Sequence, residues 1–395
     1  MRLLTYLPEL AAGRSLPVLG IMSGTSIDSV DYALCTVAHD QLRLRRHWQV
    51  RFPLRLQRQL HAAAAGRISS AHLAQLHHEL GRFYAREAAH GLGRSRVALV
   101  GLHGQTIYHQ PTGPQPATFQ AGEPAYLAEA LRVPVVSNFR AADLAAGGQG
   151  APLATAFHCA VFARRGAHVC VNNLGGISNV TSIDWRRCRQ PQVRAFDTGP
   201  GNMLLDMAVR HLTGGRQQMD RDGAWARRGT PCERLLTRWL RHPYFHLPPP
   251  KSTGRELFGE PFFKRAWAEL RRARLDRFDI LATFTALTAR SLALNYRLHL
   301  PALPQTVILA GGGAANLALV SAIRQELHRL WPSITVVTSD VLGWPVQSLE
   351  AAAFAWLAWL RMAGRPGNLP QTTGARHPTL CGQITAAYPV GGWRM

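Results

Sequence analysis

The hydrophobic pattern at the start of the chain predicts β-strands. Apolar or alternating segments separated by turn residues are typical of an antiparallel meander, and here they read PVLGIMSG, DYALCTV and LRLRRHWQVRF. Leucine, alanine and tyrosine at three-to-four-residue spacing then predict two helices, over about 53–64 and 70–91. After these helices, β-branched runs that end in glycine or polar residues, VALVGLHG and VPVVSNF, predict buried parallel strands.

The same order of elements begins again in the middle of the chain. A second group of strands is predicted at AHVCVNNLGG, ISNVTSI and VRAFDTGP. The pattern then predicts helices near 202–213 and 278–297, a strand TVILAGGG, a helix near 315–330, a strand ITVVTSD and a last helix near 347–363. A repeated order of this kind predicts an α/β fold with two related lobes. We expect residues 1–140 and 365–395 to form the first lobe, and residues 141–364 the second.

Composition agrees with a globular protein of about two domains. The 395 residues are 47% hydrophobic, and no apolar run reaches the ~18 residues needed to span a bilayer. The first residues, MRLLTYLPELAAGRSLPVLG, make a poor secretory signal because Pro8 and Glu9 interrupt a short apolar stretch. The six cysteines are scattered without a CxxC pair, which predicts reduced thiols in a cytoplasmic protein.

The net charge of +22 raises the possibility of a nucleic-acid or polyanion partner. However, the basic residues are spread along the chain and form neither a dense tail nor a basic repeat. Lys251 and Lys264 are the only lysines, so nearly every basic residue is arginine. This uniform use of arginine favours a compositional bias, and we expect no specific nucleic-acid partner.

Two glycine-containing turns have the chemistry of phosphate-binding loops. In MSGTSIDS, glycine allows the backbone N–H groups to approach an anion, hydroxyl groups add donors, and Asp28 supplies an oxygen for Mg²⁺. An ordinary hairpin uses the same residue types. The related turn NNLGGISN in the second group of strands favours a pair of phosphate-binding turns. Neither turn matches the Walker or Rossmann pattern.

Longer motifs carry a family resemblance over most of the chain. In order from residue 18 to residue 375, they include GIMSGTSIDSVDYAL, GLHGQTIYHQPTG, NFRAADLAAGGQGAPL, NNLGGISNVT, FDTGPGNMLLD, HPYFHLPPPKSTGRELF, AGGGAANLAL, LEAAAFAWLAW and GNLPQTTGA. With these motifs the chain resembles the anhydro-N-acetylmuramic acid kinases of the actin-like ATPase and sugar-kinase superfamily. The resemblance implies a two-lobed actin-like (ribonuclease H-like) α/β fold, with nucleotide and sugar in the cleft between the lobes.

The resemblance also implies a reaction and its cofactors. Such a kinase uses ATP and Mg²⁺ to add water at the anomeric carbon of 1,6-anhydro-N-acetylmuramic acid. It transfers the γ-phosphoryl group to the freed 6-oxygen, which gives N-acetylmuramic acid 6-phosphate in peptidoglycan recycling. The resemblance further implies a homodimer whose partners are the sugar and ATP. Since no apolar run is long enough to span a bilayer, we expect no membrane contact.

Two carboxylates are the catalytic candidates that the resemblance implies. Asp197 follows the apolar strand VRAF and precedes a Gly-Pro-Gly turn, so we expect its side chain to project from a strand end. The family's water-activating aspartate corresponds to this position. Glu350, at the start of the last helix, matches a family carboxylate near the sugar, although a first-turn acid is also favoured by the helix dipole.

The resemblance assigns nucleotide contacts to three segments and Mg²⁺, held through ATP, to Asp28. These residues are Gly24, Thr25, Ser26, Ile27, Asp28, Ser29, Val30 and Asp31 in the first turn, Gly175 and Gly176 in the second, and Gly311, Gly312 and Gly313 near the adenosine. His103 and His109 lack companion ligands at metal-site spacing, which favours packed or site-lining polar groups. Lys251 lies inside the PPPKSTGRE motif.

The chain departs from the family pattern at four positions, and two other functions stay open. Ser29 stands where glycine is usual, Glu123 and Asn138 where aspartate is common, and Ala315 where arginine is usual. One alternative is a different sugar kinase of the superfamily, whose acceptor has a free hydroxyl and which adds no water. The other is a catalytically weak paralogue that binds muropeptides or polyanions.

Overall fold

A computed structural model describes residues 15–38 and 41–387, which form two compact units. The first unit ends at Val161 and resumes at Ser348, and the second is Phe162–Gln347. These boundaries differ from the predicted ones, which fall after residues 140 and 364. Residues 1–14 of the N-terminal segment, which makes a poor secretory signal, lie outside the described residues.

One mixed sheet organises the first unit. Its strands are β1 (Leu16–Ser23), β2 (Ser29–Ala38), β3 (Gln41–Arg51), β4 (Leu99–Gln110), β5 (Ala117–Ala121), β6 (Val135–Ser137) and β12 (Gln383–Thr385). The predicted meander is confirmed, since β1, β2 and β3 pair antiparallel in sequence order. The predicted parallel strands are confirmed too, because β4 pairs parallel with β1, and β6 pairs parallel with β4.

Helices flank this sheet, and one of them comes from the far end of the chain. They are α1 (Leu54–Ala64), α2 (Ser70–Leu92), α3 (Ala125–Leu131), α4 (Ala141–Ala145), α5 (Ala154–Phe162), α13 (Leu349–Met362) and α14 (Pro370–Thr373). Helix α13 packs directly on β1 and β4, because a Cβ atom at Gly20 or Gly101 would collide with the backbone carbonyl of Ala351 or Phe354. This contact is the reason that the first unit resumes at residue 348 and not, as expected, at 365.

The second unit repeats the strand order of the first. Its strands are β7 (His168–Leu174), β8 (Ile177–Asp184), β9 (Gln192–Pro200), β10 (Thr306–Ala310) and β11 (Thr335–Thr338), in the order β11-β10-β7-β8-β9. From its other edge this order is β9-β8-β7-β10-β11, which corresponds to β3-β2-β1-β4-β6 in the first unit. In both sheets three antiparallel strands are followed by two parallel ones. The predicted α/β fold class, with the same order of strands in each of two units, is confirmed.

The helices of the second unit include several that the sequence pattern did not predict. The helices are α6 (Met203–Thr213), α7 (Glu233–Trp239), α8 (Pro243–His246), α9 (Arg255–Phe258), α10 (Glu260–Arg272), α11 (Arg277–His299) and α12 (Leu317–Leu330). Helices α7 to α10 pack through aromatic side chains, among them Trp239, Phe245, Phe258 and Phe262, which belong to one buried core cluster. No helix in residues 15–38 or 41–387 combines the length and the apolar character that crossing a membrane requires. None of the six cysteines, all within the described ranges, forms a disulfide.

Candidate active site

The first predicted phosphate turn connects β1 to β2 and holds one residue in a strained conformation. Ile27 has a φ of 60°, its side chain is buried, and its N–H donates to the carbonyl of Gly24 at 3.2 Å. A positive φ is unfavourable for a β-branched residue, and such strain is concentrated at functional sites. Ser29, the residue that replaces the usual glycine, begins β2 without a positive φ. Its side chain therefore does not restrict the turn.

The two acids predicted in this turn have different surroundings. Asp28 is exposed, and its closest described donor is the Gln57 amide at 3.4 Å. Asp31 lies within β2, where its carboxylate accepts hydrogen bonds from His47 at 3.1 Å and Gln49 at 3.0 Å, both on β3. Asp31 thus has a structural role in the sheet that the sequence did not indicate.

Asp28 fits a magnesium ion that is carried by a nucleotide. In proteins, Mg²⁺ bound with substrate phosphates takes only one or two carboxylates. No group of three or more histidine, cysteine or acidic residues suited to a metal occurs in the part of the chain that the structure describes. A single exposed carboxylate in a turn therefore suits a phosphate-bound cation, and the residues do not form a protein-only metal site.

Sequence reasoning missed Gln105, which lies beside the first turn. Ser23 at the end of β1 pairs with Gln105 on β4, and the Gln105 amide nitrogen donates to the Gly24 carbonyl at 3.1 Å. The side chain is fully buried, yet its Oε1 has no hydrogen-bond partner among the described residues. Because an unsatisfied buried acceptor costs free energy, this atom is available to a donor that the protein alone does not supply.

The second predicted turn, at Gly175 and Gly176, packs against the start of α6. The carbonyl of Gly175 accepts from Asn202 N–H at 2.8 Å, and the carbonyl of Gly176 accepts from Gly201 N–H at 2.9 Å. A Cβ atom at Gly201 would collide with the Gly175 carbonyl, so this contact requires glycine. The turn is therefore held in place by the residues that follow β9.

The third glycine segment reaches the same place from β10. Gly311 has a φ of 75°, and a Cβ atom there would collide with the Asn173 side chain. A Cβ atom at Gly313 would lie 2.7 Å from Cβ of Leu174, the last residue of β7. Since β7, β9 and β10 end at one edge of the sheet, the structure brings 175–176 and 311–313 together with the end of β9.

Asp197 lies near the end of β9 and is held by the PPPKSTGRE motif. The Thr253 N–H donates to its Oδ2 at 2.8 Å, and its own N–H donates to the Lys251 carbonyl at 3.1 Å. The Tyr244 hydroxyl donates to the main-chain carbonyl of Asp197 at 2.9 Å. Asp197 thus lies near a strand end, as expected. A segment about fifty residues further along the chain also clamps it in place, and the sequence did not predict this clamp.

The surroundings of Asp197 raise its affinity for a proton. Burial raises the pKa of Asp197 to about 6, and the charge of Glu256 acts in the same direction. The Thr253 hydrogen bond and the Lys251 charge oppose this shift. Burial lowers the pKa of Lys251 to about 8. The Lys251 ammonium group donates to the carbonyls of Tyr244 at 3.1 Å and Phe245 at 3.2 Å, so it anchors the clamp.

In the first unit, a polar network connects three of the family motifs. Arg140 donates to Nε2 of His103 at 2.9 Å and to the Gly150 carbonyl at 2.7 Å. His103 in turn donates from Nδ1 to the Gly104 carbonyl at 2.8 Å, and burial and Arg140 hold its pKa well below the usual range. A neutral His103 can therefore accept the Arg140 hydrogen bond. His109 is half-buried and contacts the Thr118 hydroxyl at 3.0 Å. Both histidines thus have polar partners within the first unit.

Asp143 is the most deeply buried acid of this network. Its carboxylate has no exposed surface, and it accepts from Gly150 N–H at 2.7 Å, the Asn368 amide at 2.6 Å and the Thr373 hydroxyl at 2.7 Å. These contacts join the motifs NFRAADLAAGGQGAPL and GNLPQTTGA across more than 200 residues. Sequence reasoning missed this residue, because aspartate in a short helix carries no local signal of burial.

Glu350 lies in the first turn of α13 with its side chain exposed. Burial lowers the pKa of Arg140 to about 10, while the charges of Glu350 and Asp143 counteract the shift. Glu350 is thus electrostatically coupled to the Arg140 network.

The remaining departures from the family pattern have structural partners. Glu123 accepts from the Ala125 N–H at 2.9 Å and lies 3.2 Å from Nε2 of His77, so its longer side chain connects α3 to α2. Asn138 has a φ of 52°, which asparagine tolerates better than most residues, and its amide donates to Gln383 at 3.2 Å. Ala315 ends the 3₁₀ turn Gly312–Ala315.

The sequence model of the anhydro-N-acetylmuramic acid kinase family matches residues 17–387. The chain belongs to this family. The kinase of that name from Cyanothece sp. is 41% identical over 385 residues, which cover 94% of this chain and 100% of the relative. The one from Synechocystis sp. is 38% identical and covers 94% of this chain and 99% of the relative. The predicted family, and with it the prediction that the chain is a kinase, is confirmed.

Solved structures with a similar course of the chain were also found. The activator of 2-hydroxyisocaproyl-CoA dehydratase from Clostridium difficile, with bound ADPNP, is 11% identical with a TM-score of 0.44, covering 88% of this chain and 96% of that chain. A ROK family glucokinase from Streptomyces griseus, in complex with glucose and AMPPNP, is 14% identical with a TM-score of 0.39, covering 87% and 99%.

Proposed function

We propose that the chain uses ATP to open 1,6-anhydro-N-acetylmuramic acid with water and to phosphorylate its 6-oxygen, which gives N-acetylmuramic acid 6-phosphate. Membership of the kinase family supports this substrate, because the names of the family and of the relatives contain it. The observation that supports the mechanism best is Asp197, a carboxylate at a strand end whose pKa is raised to about 6. The product is a sugar of bacterial cell-wall turnover, and since ATP is consumed, we place the reaction in the cytoplasm.

In this mechanism Asp197 is the general base. Its carboxylate accepts a proton from water, the resulting hydroxide attacks the anomeric carbon, and the bond from that carbon to the 6-oxygen breaks. The 6-oxygen then attacks the γ-phosphorus of ATP, and the bond to the leaving ADP breaks. A base works best when its pKa is near the working pH, and the raised pKa of Asp197 meets that condition while leaving it ionised at pH 7.

The glycine turns are the proposed nucleotide contacts. Backbone N–H groups of the turn at 24–28 and of Gly175 and Gly176 would bind phosphate oxygens, and 311–313 would pack near the adenosine. Asp28 would hold Mg²⁺ together with the phosphates. When bound, Mg²⁺ neutralises charge that develops on the phosphoryl group. We further propose that Glu350 binds the sugar and that the protein is a homodimer without a specific nucleic-acid partner, proposals that rest on the family resemblance and the dispersed charge.

Product analysis with a panel of sugars tests the proposal. The purified chain is incubated with ATP, Mg²⁺ and either anhydro or reducing amino sugars, in water labelled with ¹⁸O. We expect phosphorylation of the anhydro-muramic acid only, with label at the anomeric carbon and none in the phosphate. Preferential phosphorylation of a reducing sugar would identify a different sugar kinase. Sugar binding without turnover of any substrate would identify an inactive paralogue.

A further inference from the structure

A cavity in the second unit is lined by none of the residues assigned to the reaction. It measures about 260 Å³ and is formed by the end of α7, the turn that follows it and one face of α10. Its lining consists of Arg238, Trp239, Arg241, His242, Phe262, Arg265, Ala266 and Glu269. Three exposed arginines and a single acid thus line one small pocket that is open to solvent.

The charges in this cavity do not balance. Glu269 accepts hydrogen bonds from the Trp239 indole at 2.6 Å and from Arg238 at 2.9 Å, so its charge is compensated by Arg238. Arg241 and Arg265 form no ion pair and no side-chain hydrogen bond with any residue in the ranges that the structure describes. Two unpaired guanidinium groups therefore leave the cavity with a net charge of about +2 at neutral pH.

The other walls supply a neutral donor and an aromatic surface. The His242 Nδ1 accepts from the Tyr244 N–H at 3.3 Å, which places the ring proton on Nε2. Burial and the nearby Arg265 lower the pKa of His242, so the ring is neutral at pH 7 and adds no charge. Trp239 and Phe262 are buried, with ring centroids 6.1 Å apart, and form the apolar side of the cavity.

We propose that this cavity binds a phosphate dianion, either free or as the phosphomonoester of a small molecule. A phosphomonoester carries close to two negative charges above its second pKa of about 6, which matches the two unpaired arginines. Guanidinium groups bind phosphate oxygens through paired, charge-assisted hydrogen bonds. The cavity residues differ from those of the proposed catalytic site, so this inference does not depend on the proposed function.

Calorimetric titration of the full chain tests the site. The ligands are inorganic phosphate, glucose 6-phosphate and glucose, in phosphate-free buffer at about 0.15 M salt, where long-range attraction by the net charge is screened. The pocket variant combines Arg241→Gln with Arg265→Gln. The matched control combines Arg234→Gln with Arg272→Gln, which removes the same charge from residues that are equally exposed but lie outside the cavity. Melting curves verify that both variants are folded.

For glucose 6-phosphate we expect a binding component with a stoichiometry of one per chain, and for glucose we expect no binding. The pocket variant should weaken this component at least about tenfold, because two charge-assisted contacts are lost, and the control variant should retain it within about twofold. Equal binding of inorganic phosphate would identify the free anion as the ligand, and tighter binding of the ester would identify a phosphomonoester. Equal losses in both variants, or no binding to the unmodified chain, would overturn the proposal.

Discussion

Thr253 holds Asp197 by one carboxylate oxygen. Its backbone N–H donates to Oδ2 at 2.8 Å, and no other side-chain or backbone donor in the described ranges contacts this carboxylate. The hydrogen bond fixes the orientation of the side chain and leaves Oδ1 to accept a proton. Because the bond is made by a backbone group, it does not depend on the protonation state of a neighbour. A carboxylate held in this way is suited to activate a water molecule.

The first prediction concerns catalysis by Asp197. Asp197→Asn keeps the shape of the side chain but removes its ability to accept a proton, so turnover should fall by about 10²–10⁴-fold. ATP binding should persist, and ADP and sugar phosphate should disappear together. In the unmodified chain, kcat/KM should decrease as the pH falls through about 6, because protonated Asp197 cannot act as a base. Steady-state kinetics across pH measures both effects.

Asp184→Asn is the matched control for this experiment. Asp184 lies at the opposite end of β8, pairs with Arg186 at 2.7 Å and has no place in the proposed reaction. We expect it to keep normal turnover. Near-normal rates in Asp197→Asn would show that Asp197 is not the base. ¹⁸O label in the transferred phosphate would show that the water attacks phosphorus.

The second prediction concerns the stability that Asp197 costs the protein. Its folded-state pKa of about 6 lies above its ordinary value of about 3.9, so ionisation is harder in the folded state than in the unfolded one. This penalty is absent below pH 4, grows through the interval and is complete above pH 6. Asp197→Asn lacks the penalty, so the variant should gain stability relative to the unmodified chain as the pH rises. The difference between their free energies of unfolding should increase by about 1–3 kcal/mol from pH 4 to pH 7.5. Urea unfolding at both pH values measures the difference, and a constant difference would contradict the raised pKa.

The third prediction concerns the first glycine turn. Asp28→Asn should lower turnover by about a hundredfold, because the stabilisation of charge on the transferring phosphoryl group is lost, while sugar binding stays intact. Raised Mg²⁺ concentration should restore part of the loss. Turnover assays and sugar titrations provide the two readouts. Glu79→Gln is the control in the same unit. Glu79 lies 3.5 Å from the exposed Arg55, and exposed ion pairs contribute little to stability. Unchanged turnover in Asp28→Asn would remove this turn from the chemistry.

The strands could be predicted because their residues alternate or cluster within short segments. Helices α7 to α9 could not, because they have only four to seven residues and are stabilised by aromatic packing that only the folded chain creates. Helix α10 has 13 residues with an apolar face, so its pattern was present in the sequence and was overlooked. In the candidate site, the glycine turns were readable as local motifs. Asp143 and its partner Thr373 were not, since they are 230 residues apart in the sequence and their contact depends on the position of α13.

The fourth prediction concerns the net charge of +22. If the charge reflects composition alone, DNA and RNA should bind weakly, without sequence preference, and binding should be lost as salt rises to about 0.15 M because released counterions drive it. A mobility-shift titration at several salt concentrations measures the slope. Tight, sequence-selective binding that resists physiological salt would instead reveal a specific nucleic-acid partner.

The fifth prediction concerns the buried carboxylate of Asp143. Oδ1 accepts from both Asn368 and Thr373, and Oδ2 accepts from Gly150 N–H, so every contact needs an acceptor. Asp143→Asn must turn an amide N–H₂ group toward at least one donor in a region without water access, which should cost about 2–4 kcal/mol of unfolding free energy. Asp184→Asn makes the same chemical change at a partly exposed ion pair with Arg186, which water still screens, and should cost only about 1 kcal/mol. Urea unfolding of both variants gives the comparison, with limited proteolysis to show whether 367–375 is released first. Equal stability of the two variants would mean that the Asp143 hydrogen bonds do not hold the C-terminal motif in place.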